Sequence, residues 1–323
     1  VKLIRDLATL DAALRSGAVA IGNFDGVHLG HVRIIERLIA RAREVAGPAI
    51  VFTFDPHPVR LLRPELAPPP LTWTDRKVEL LAQLGVDAVI AYPTDNALLA
   101  LTPEQFFDSI VRNNLGARAM VEGSNFYFGN NRSGTIEVLR RLTDEAGIVL
   151  EVVDPVVVAG EVVSSSRVRR LVDQGRVAEA RALLTAPYRI RGEVVAGAGR
   201  GAKIGFPTAN LYGIDTLLPA LGVYAGCALA DQRIWPAAIH IGPNPTFSEQ
   251  SLKVEVHLIG WQGSLLGQVI EVDYWVRLRG TERFASVTEL TAQLARDVAQ
   301  AAELFRSAGG HGPAAASPGD RLE

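Results

Sequence analysis

Two histidines three residues apart, His28 and His31, flank Gly30 in the stretch A-I-G-N-F-D-G-V-H-L-G-H, residues 20–31. Imidazole can ligate a metal, carry a proton or donate to an anion near neutral pH. An i, i+3 pair on a helix points both rings the same way. Alone, the pair is equally consistent with a surface accident, a metal site or helix capping. A zinc pair finds no third ligand at a recognisable spacing. The flanking residues narrow the choice. Residues 18–21 read as a short buried strand. The following V-R-I-I-E-R-L-I-A-R-A-R-E-V puts Ile34, Ile35, Leu38 and Ala42 near one face, with arginine and glutamate opposite, which is a helical period. The histidines therefore stand where a strand hands over to a helix, beside backbone N–H groups and a positive dipole end suited to phosphate. Gly30 omits a side chain where a phosphate would approach.

Three more clusters follow predicted strands. F-T-F-D-P-H-P-V-R presents His57 between two prolines. V-E-G-S-N-F-Y-F-G-N-N-R-S-G supplies Asn125, three aromatic rings and Arg132. V-S-S-S-R-V-R-R joins hydroxyls, Ser164 and Ser165 among them, to Arg167, Arg169 and Arg170 at a helix start. Singly these read as a rigid turn, a packed aromatic loop, and an N-cap with a solvated basic face. Together they are expected to surround one crevice, giving a phosphate site and a place for a flat ring.

The elements that must position these groups fall into two patterns. The first half alternates predicted strands at 19–22, 50–54, 88–91, 119–123 and 148–153 with helices. Thr74 is read as the cap of a helix ending at Gly85. Thr102 and Pro103 open another in a T-P-E-Q capping box, closed near Gly116. Such alternation predicts an α/β fold with a doubly wound parallel sheet, its ligands outside the strands' C-terminal ends. Between residues 188 and 279 the chain turns β-rich, with pieces such as Y-R-I-R-G-E-V-V and L-K-V-E-V-H-L-I broken by Gly and Pro. This predicts a small antiparallel β-barrel. A helix opened by S-V-T-E at Ser286–Glu289 follows. Domains are expected at 1–186 and 187–306, with a disordered tail over 307–323.

Of 323 residues, 48% are hydrophobic and 21% charged, enough for two cores and too apolar for a disordered chain. A net charge of −2 gives no bulk attraction to nucleic acid or anionic membrane. The single cysteine, Cys227, excludes an intrachain disulfide framework and a multi-cysteine zinc site. With no uninterrupted 18-residue apolar run and no signal-like start, a soluble cytoplasmic protein is expected, with no nucleic-acid or membrane partner. The sequence is compatible with self-association.

G-N-F-D-G-V-H-L-G-H together with V-S-S-S-R-V-R resembles the nucleotidyltransferase module of bacterial bifunctional riboflavin kinase/FAD synthetases, as do F-D-P-H-P, T-D-R-K-V-E-L-L-A-Q-L-G-V-D and L-T-P-E-Q-F-F-D-S-I-V. The resemblance covers almost all of residues 10–186. It implies adenylylation of FMN by ATP to give FAD and pyrophosphate, without a covalent enzyme intermediate. It further implies that His28 and His31 are catalytic, that Gly22, Phe24, Gly30, Ser164, Ser165 and Arg169 bind ATP or its phosphates, and that His57 and Asn125 border the flavin.

Over residues 187–305, G-F-P-T-A-N resembles the riboflavin kinase signature. That implies Mg²⁺ and nucleotide phosphates at Thr208 and Asn210, with Gly205 in the phosphate loop. L-K-V-E-V-H-L resembles the segment that supplies the general base, which implies Glu255. The implied reaction converts riboflavin and ATP to FMN and ADP. Leu221, His240 and Gly260 depart from that pattern, bearing on rate and flavin affinity, while the metal and base positions are kept. The expected protein is a bifunctional FAD-biosynthesis enzyme; the rival reading is an FMN adenylyltransferase with a degenerate, flavin-binding kinase module.

Overall fold

A computed structural model describes residues 1–243 and 252–309; the predicted tail from residue 310 onward, and the N-P-T that follows Pro243, lie outside the described residues. The chain forms two compact units, Val1–Pro68 with Trp73–Ser164, and Pro69–Thr72 with the residues from Ser165 onward.

The first unit is a six-stranded parallel sheet made of β1 (Lys2–Ile4), β2 (Ala18–Ile21), β3 (Ala49–Asp55), β4 (Ala88–Pro93), β5 (Ala119–Gly123) and β6 (Val149–Val153), in the order β1-β4-β3-β2-β5-β6. Helices α1 (Leu29–Glu44), α2 (Thr74–Gln83) and α3 (Ile136–Ala146) connect strands. Ala18, Val19, Ala20, Ile50, Val51 and Phe52 are all buried, as strands covered on both faces require. From β2 the strand order runs outward to β3 and β4, then returns to β5 and β6 on the other side. The switch point therefore lies between β2 and β5, where such sheets bind ligands.

Local signals explain much of this unit. Thr102 Oγ1 accepts from the Gln105 N–H at 3.2 Å, and Gln105 Oε1 accepts from the Thr102 N–H at 3.0 Å. The helix so started widens into π-type turns over Phe107–Asn114. The expectation for Thr74 is corrected: Trp73 holds the cap position and Thr74 is the first helical residue. The Thr74 hydroxyl donates instead to Asp55 Oδ2 at 2.8 Å. A two-residue hairpin, β7 (Val157–Val158) with β8 (Glu161–Val162), precedes Ser164.

The second unit begins with α4 (Ser165–Asp173) and α5 (Val177–Leu183). A closed antiparallel barrel follows, built from β9 (Tyr188–Val195), β10 (Ala209–Tyr212), β11 (Gly222–Ala230), β12 (Arg233–Gly242), β13 (Lys253–Leu258) and β14 (Val269–Arg279), in the order β10-β13-β12-β11-β14-β9. Ile190, Ile239, Ile241, Val254 and Val256 fill its interior, and the residues between them along each strand face outward. β10 pairs with both β9 and β13, so the glycine loop before it leads into a closed barrel and not into an edge strand. Helix α6 (Val287–Ser307), capped by Ser286 Oγ on the Glu289 N–H at 3.2 Å, packs on β11 and β12.

Candidate active sites

The loop over residues 22–28 leaves β2 through three left-handed positions, Phe24 (φ 47°), Gly26 (φ 83°) and Val27 (φ 41°). Two are not glycine, and a β-branched residue in that region is a marked outlier. Each such residue costs about 1–3 kcal/mol and persists only where the surroundings over-determine it. Here the surroundings do: Phe24 and Val27 are buried, the Gly22 N–H donates to the Phe52 carbonyl at 3.0 Å, and Thr53 Oγ1 donates to the Asn23 carbonyl at 3.1 Å.

That rigid loop delivers His28 to the N-cap of α1. The His28 N–H donates to His31 Nδ1 at 3.3 Å, and the two imidazoles stack with centroids 3.7 Å apart at 17°. Phe24 lies against His31, centroids 5.0 Å apart. Burial, then the neighbouring His28 and Lys77, hold the His31 pKa well below the usual imidazole value. With Nδ1 accepting, neutral His31 carries its proton on Nε2. An arriving polyanion would reverse this electrostatic balance and favour the protonated ring. A Cβ added to Gly30 would lie 3.1 Å from the His28 ring and 3.4 Å from the Val163 carbonyl oxygen. The missing side chain thus makes room for the histidine itself.

Two titratable groups not singled out from the sequence belong to this region. Lys77 of α2 is buried, and its Nζ donates to Thr53 Oγ1 at 3.3 Å. Burial lowers its pKa, while Asp25 and Asp55 act in the opposite sense. Glu122 of β5 is 2% exposed, and its Oε1 accepts the Ile21 N–H at 2.8 Å. Burial drives this carboxyl well above the usual carboxylate range. The T-D-R-K signal for a helix start pointed to Lys77's position but not to its burial, and nothing in V-E-G marked Glu122.

The remaining predicted residues are distributed as follows. Half-buried His57 follows the cis Asp55–Pro56 peptide, and its Nδ1 accepts the Val59 N–H at 3.1 Å. Asn125 is exposed, with Oδ1 3.2 Å from where a Gly123 Cβ would sit. Phe126 stacks on Phe128, and Arg132 lies over the Tyr127 ring at 4.7 Å. Gly22, Phe24, His28, Gly30, His31, His57, Asn125 and Ser164 belong to the first unit, whereas Ser165 and Arg169 belong to the second. There Arg169 Nε donates to the Pro69 carbonyl at 3.1 Å.

The second unit has its own cavity, of about 260 Å³, lined among others by Thr208, Asn210, His240, Glu255, Arg279 and Asp297. Strand register makes the arrangement: Glu255 is paired with Asn210 across β10–β13 and with His240 across β12–β13. Three polar side chains therefore stand in a row on the outward face, and His240 Nδ1 is 3.5 Å from Glu255 Oε2. Gly197 is required by close approach, since a Cβ there would sit 2.2 Å from Asn210 Nδ2. His257 Nδ1 donates to the Pro207 carbonyl at 2.7 Å, tying the Gly205–Thr208 turn to β13, and Gly205 itself has φ 90°.

Buried Asp297 of α6 accepts from Arg279 at 2.7–3.2 Å and from Gln293 Nε2 at 2.8 Å, fixing the helix that walls the cavity. Among the described residues no three His, Cys, Asp or Glu side chains are grouped to hold a metal. The Thr208 hydroxyl and Asn210 amide are hard oxygen donors of the kind a partly hydrated Mg²⁺ accepts alongside substrate phosphates. One departure from the kinase pattern has a local explanation: Gly260 adopts φ 87°, which disfavours a side chain there. The Leu221 carbonyl accepts from Arg277 Nη2 at 2.6 Å, but nothing in the structure explains the leucine side chain, which is exposed.

A strained, histidine-capped loop at a sheet's switch point and a separate barrel cavity lined by hydroxyl, amide and carboxylate give the chain two polar sites, each with groups suited to phosphate. The FAD synthetase family model matches residues 10–167 and the riboflavin kinase model residues 184–305. The chain is 36% identical over 306 residues to the bifunctional riboflavin kinase/FMN adenylyltransferase of Escherichia coli strain K12, covering 94% of this chain and 98% of that one. It is 32% identical over 294 residues to the protein of the same description from Bacillus subtilis strain 168, covering 89% and 92%. A crystal structure of a Streptococcus pneumoniae protein described as a macrolide-efflux protein superposes with a TM-score of 0.80 at 29% identity, covering 91% of this chain and 96% of that one. Among the described residues, no helix is long and apolar enough to cross a membrane. The chain belongs to the bifunctional riboflavin kinase/FMN adenylyltransferase family.

Proposed function

We propose that the two reactions are divided between the two phosphate sites: the barrel makes FMN from riboflavin, and the parallel-sheet unit converts FMN to FAD. The observation that carries this division is the stacked His28–His31 pair on a rigid loop at the switch point, far in sequence from the Asn210–Glu255–His240 row. The functional boundary lies near residues 186–187.

In the first reaction Glu255 takes the proton of the riboflavin 5′-hydroxyl as that oxygen attacks the γ-phosphorus of ATP, and ADP leaves. Thr208 and Asn210 would hold Mg²⁺, which would neutralise phosphate charge, and Gly205 shapes the turn beside them. In the second, an FMN phosphate oxygen attacks the α-phosphorus of ATP, and the bond to pyrophosphate breaks. No covalent intermediate is needed, so the protein positions its substrates and stabilises charge. His28 and His31 donate to the phosphates, with His31 taking up a proton as negative charge accumulates. Gly22, Phe24 and Gly30 shape the loop, and Ser164 of the same unit holds further phosphate oxygens. His57 and Asn125 border the flavin. A net charge of −2 supports small-molecule substrates over nucleic acid, and dependence on ATP supports a cytoplasmic enzyme.

Two variants test the division. His28→Ala lowers FAD formation about 100-fold or more, the scale of one lost transition-state donor, and leaves riboflavin phosphorylation intact. Glu255→Gln lowers FMN formation about 100- to 10,000-fold and leaves FMN adenylylation intact. Equal loss of both activities in either variant contradicts the assignment.

A further inference from the structure

The parallel ladder between β2 and β5 stops early. It pairs Ala18 with Ala119 and Val19 with Met120, whereas β2 stays paired with β3 as far as Ile21 and Phe52. Successive residues of a parallel strand bond to alternate neighbours. Gly22 donates to Phe52 of β3, and the Ile21 N–H points the other way, into the gap that opens toward β5. There it is met by the side chain of Glu122, with Oε1 at 2.8 Å. A carboxyl group thus does the work of a missing strand carbonyl at the switch point, one residue before the strained loop that carries His28.

We propose that Glu122 is the positioning residue that anchors the root of the His28 loop for adenylyl transfer. Three observations support it. The loop root is pinned from β3 by the Gly22 and Thr53 bonds, and from β5 by the Glu122 bond. The loop contains two left-handed non-glycine residues, Phe24 and Val27, so its shape depends on fixed ends. Glu122 is 2% exposed and bonded to the residue that precedes the loop, where an ionised carboxylate would oppose a polyanion held by that loop, while the neutral acid supplies an acceptor without adding charge. This inference rests on the reading that the His28–His31 site performs adenylyl transfer.

The test uses the full chain and assays FMN adenylylation at saturating and limiting ATP, with riboflavin phosphorylation as the internal control. Glu122→Gln keeps a neutral acceptor of the same length, and its kcat should stay within about threefold of wild type. Glu122→Leu removes the acceptor, and its kcat should fall about 10- to 100-fold, because misplacement near 1 Å can cost 100-fold. Kinase activity should not change. Should the leucine variant fail to fold, Glu122→Asp decides, since it keeps the group but withdraws it from Ile21; the same fall in kcat is expected. A leucine variant, or where needed an aspartate variant, with wild-type kcat overturns the proposal. A glutamine variant as impaired as leucine also overturns it, showing that the carboxylate form is required. His28→Ala in parallel keeps the two readings apart: if it retains FAD formation, the site reading fails; if it loses activity while Glu122→Leu does not, only the anchoring role fails.

Discussion

Substituting Gly30 with alanine should move stability and activity in opposite directions. Gly30 lies in the first turn of α1 and has no positive φ, so alanine suits its backbone and stabilises the helix by as much as about 1 kcal/mol. The added Cβ, however, would lie 3.1 Å from the His28 ring and 3.4 Å from the Val163 carbonyl oxygen. One of the two must yield by a few tenths of an ångström. The ring is the softer partner, yet it is already stacked at 3.7 Å on His31, whose ring lies 5.0 Å from Phe24. If displacement by 1 Å costs about 100-fold, a shift of roughly 0.3–0.5 Å costs about 4- to 10-fold in FAD formation. Steady-state FMN adenylylation and thermal melting of the same preparation measure both effects, with riboflavin phosphorylation as control. In a His28→Ala background the Gly30 substitution should cost nothing further, because the group it displaces is gone. A full-rate Gly30→Ala enzyme, or an equal additional loss in the double variant, would refute the idea that this glycine exists to seat His28.

Further outcomes follow from the same contacts. Removing the Asp297 carboxylate leaves half-buried Arg279 without its partner on α6, so Asp297→Ala should destabilise the second unit by as much as about 3 kcal/mol and abolish FMN formation before FAD formation in a urea titration. The buried acid Glu122 and the half-buried imidazole of His31 give opposite pH slopes. The folded-state pKa of Glu122 is raised, so above about pH 4.5 the unfolded chain loses a proton that the folded one keeps, and stability falls as pH rises. The folded-state pKa of His31 is lowered, so its contribution is complete above about pH 6.5 and is lost as pH falls below that value. Glu122→Gln should therefore be more stable than wild type at pH 7 by a margin that grows with pH, with a limiting slope near 1.4 kcal/mol per unit. Denaturant titrations across that range measure it, and a constant margin contradicts it. A fragment from residue 165 to 309, which retains α4 and α5 with the barrel, should phosphorylate riboflavin and make no FAD, whereas one starting at 187 should do the same with a lower melting temperature.

What the sequence revealed and concealed divides along physical lines. Five sheet strands are visible because buried parallel strands read as short apolar runs, and the Thr102 helix because its capping box is local. β1 is hidden by its three-residue length and two exposed positions, and β10 by its four-residue length and the Gly-Phe-Pro-Thr turn before it. Thr74 misleads because its hydroxyl is taken by Asp55, nineteen positions earlier in sequence, a tertiary partner that no local rule contains. Lys77 reads as a solvated helix residue until Thr53 and the nearby carboxylates Asp25 and Asp55 are brought to it. Glu122 reads as ordinary strand alternation until both faces of β5 are covered. In the barrel, the row of Asn210, Glu255 and His240 depends on the register of three strands, so only the resemblance pointed to its members.

One chain carries both activities, and the most direct measurement of this is chromatography of products from the protein incubated with riboflavin, ATP and Mg²⁺. FMN should appear first and FAD after it, with FMN accumulating in the His28→Ala variant. A wild-type protein that converts supplied FMN to FAD yet makes no FMN from riboflavin would contradict it, and would show that the departures at Leu221, His240 and Gly260 have silenced the barrel.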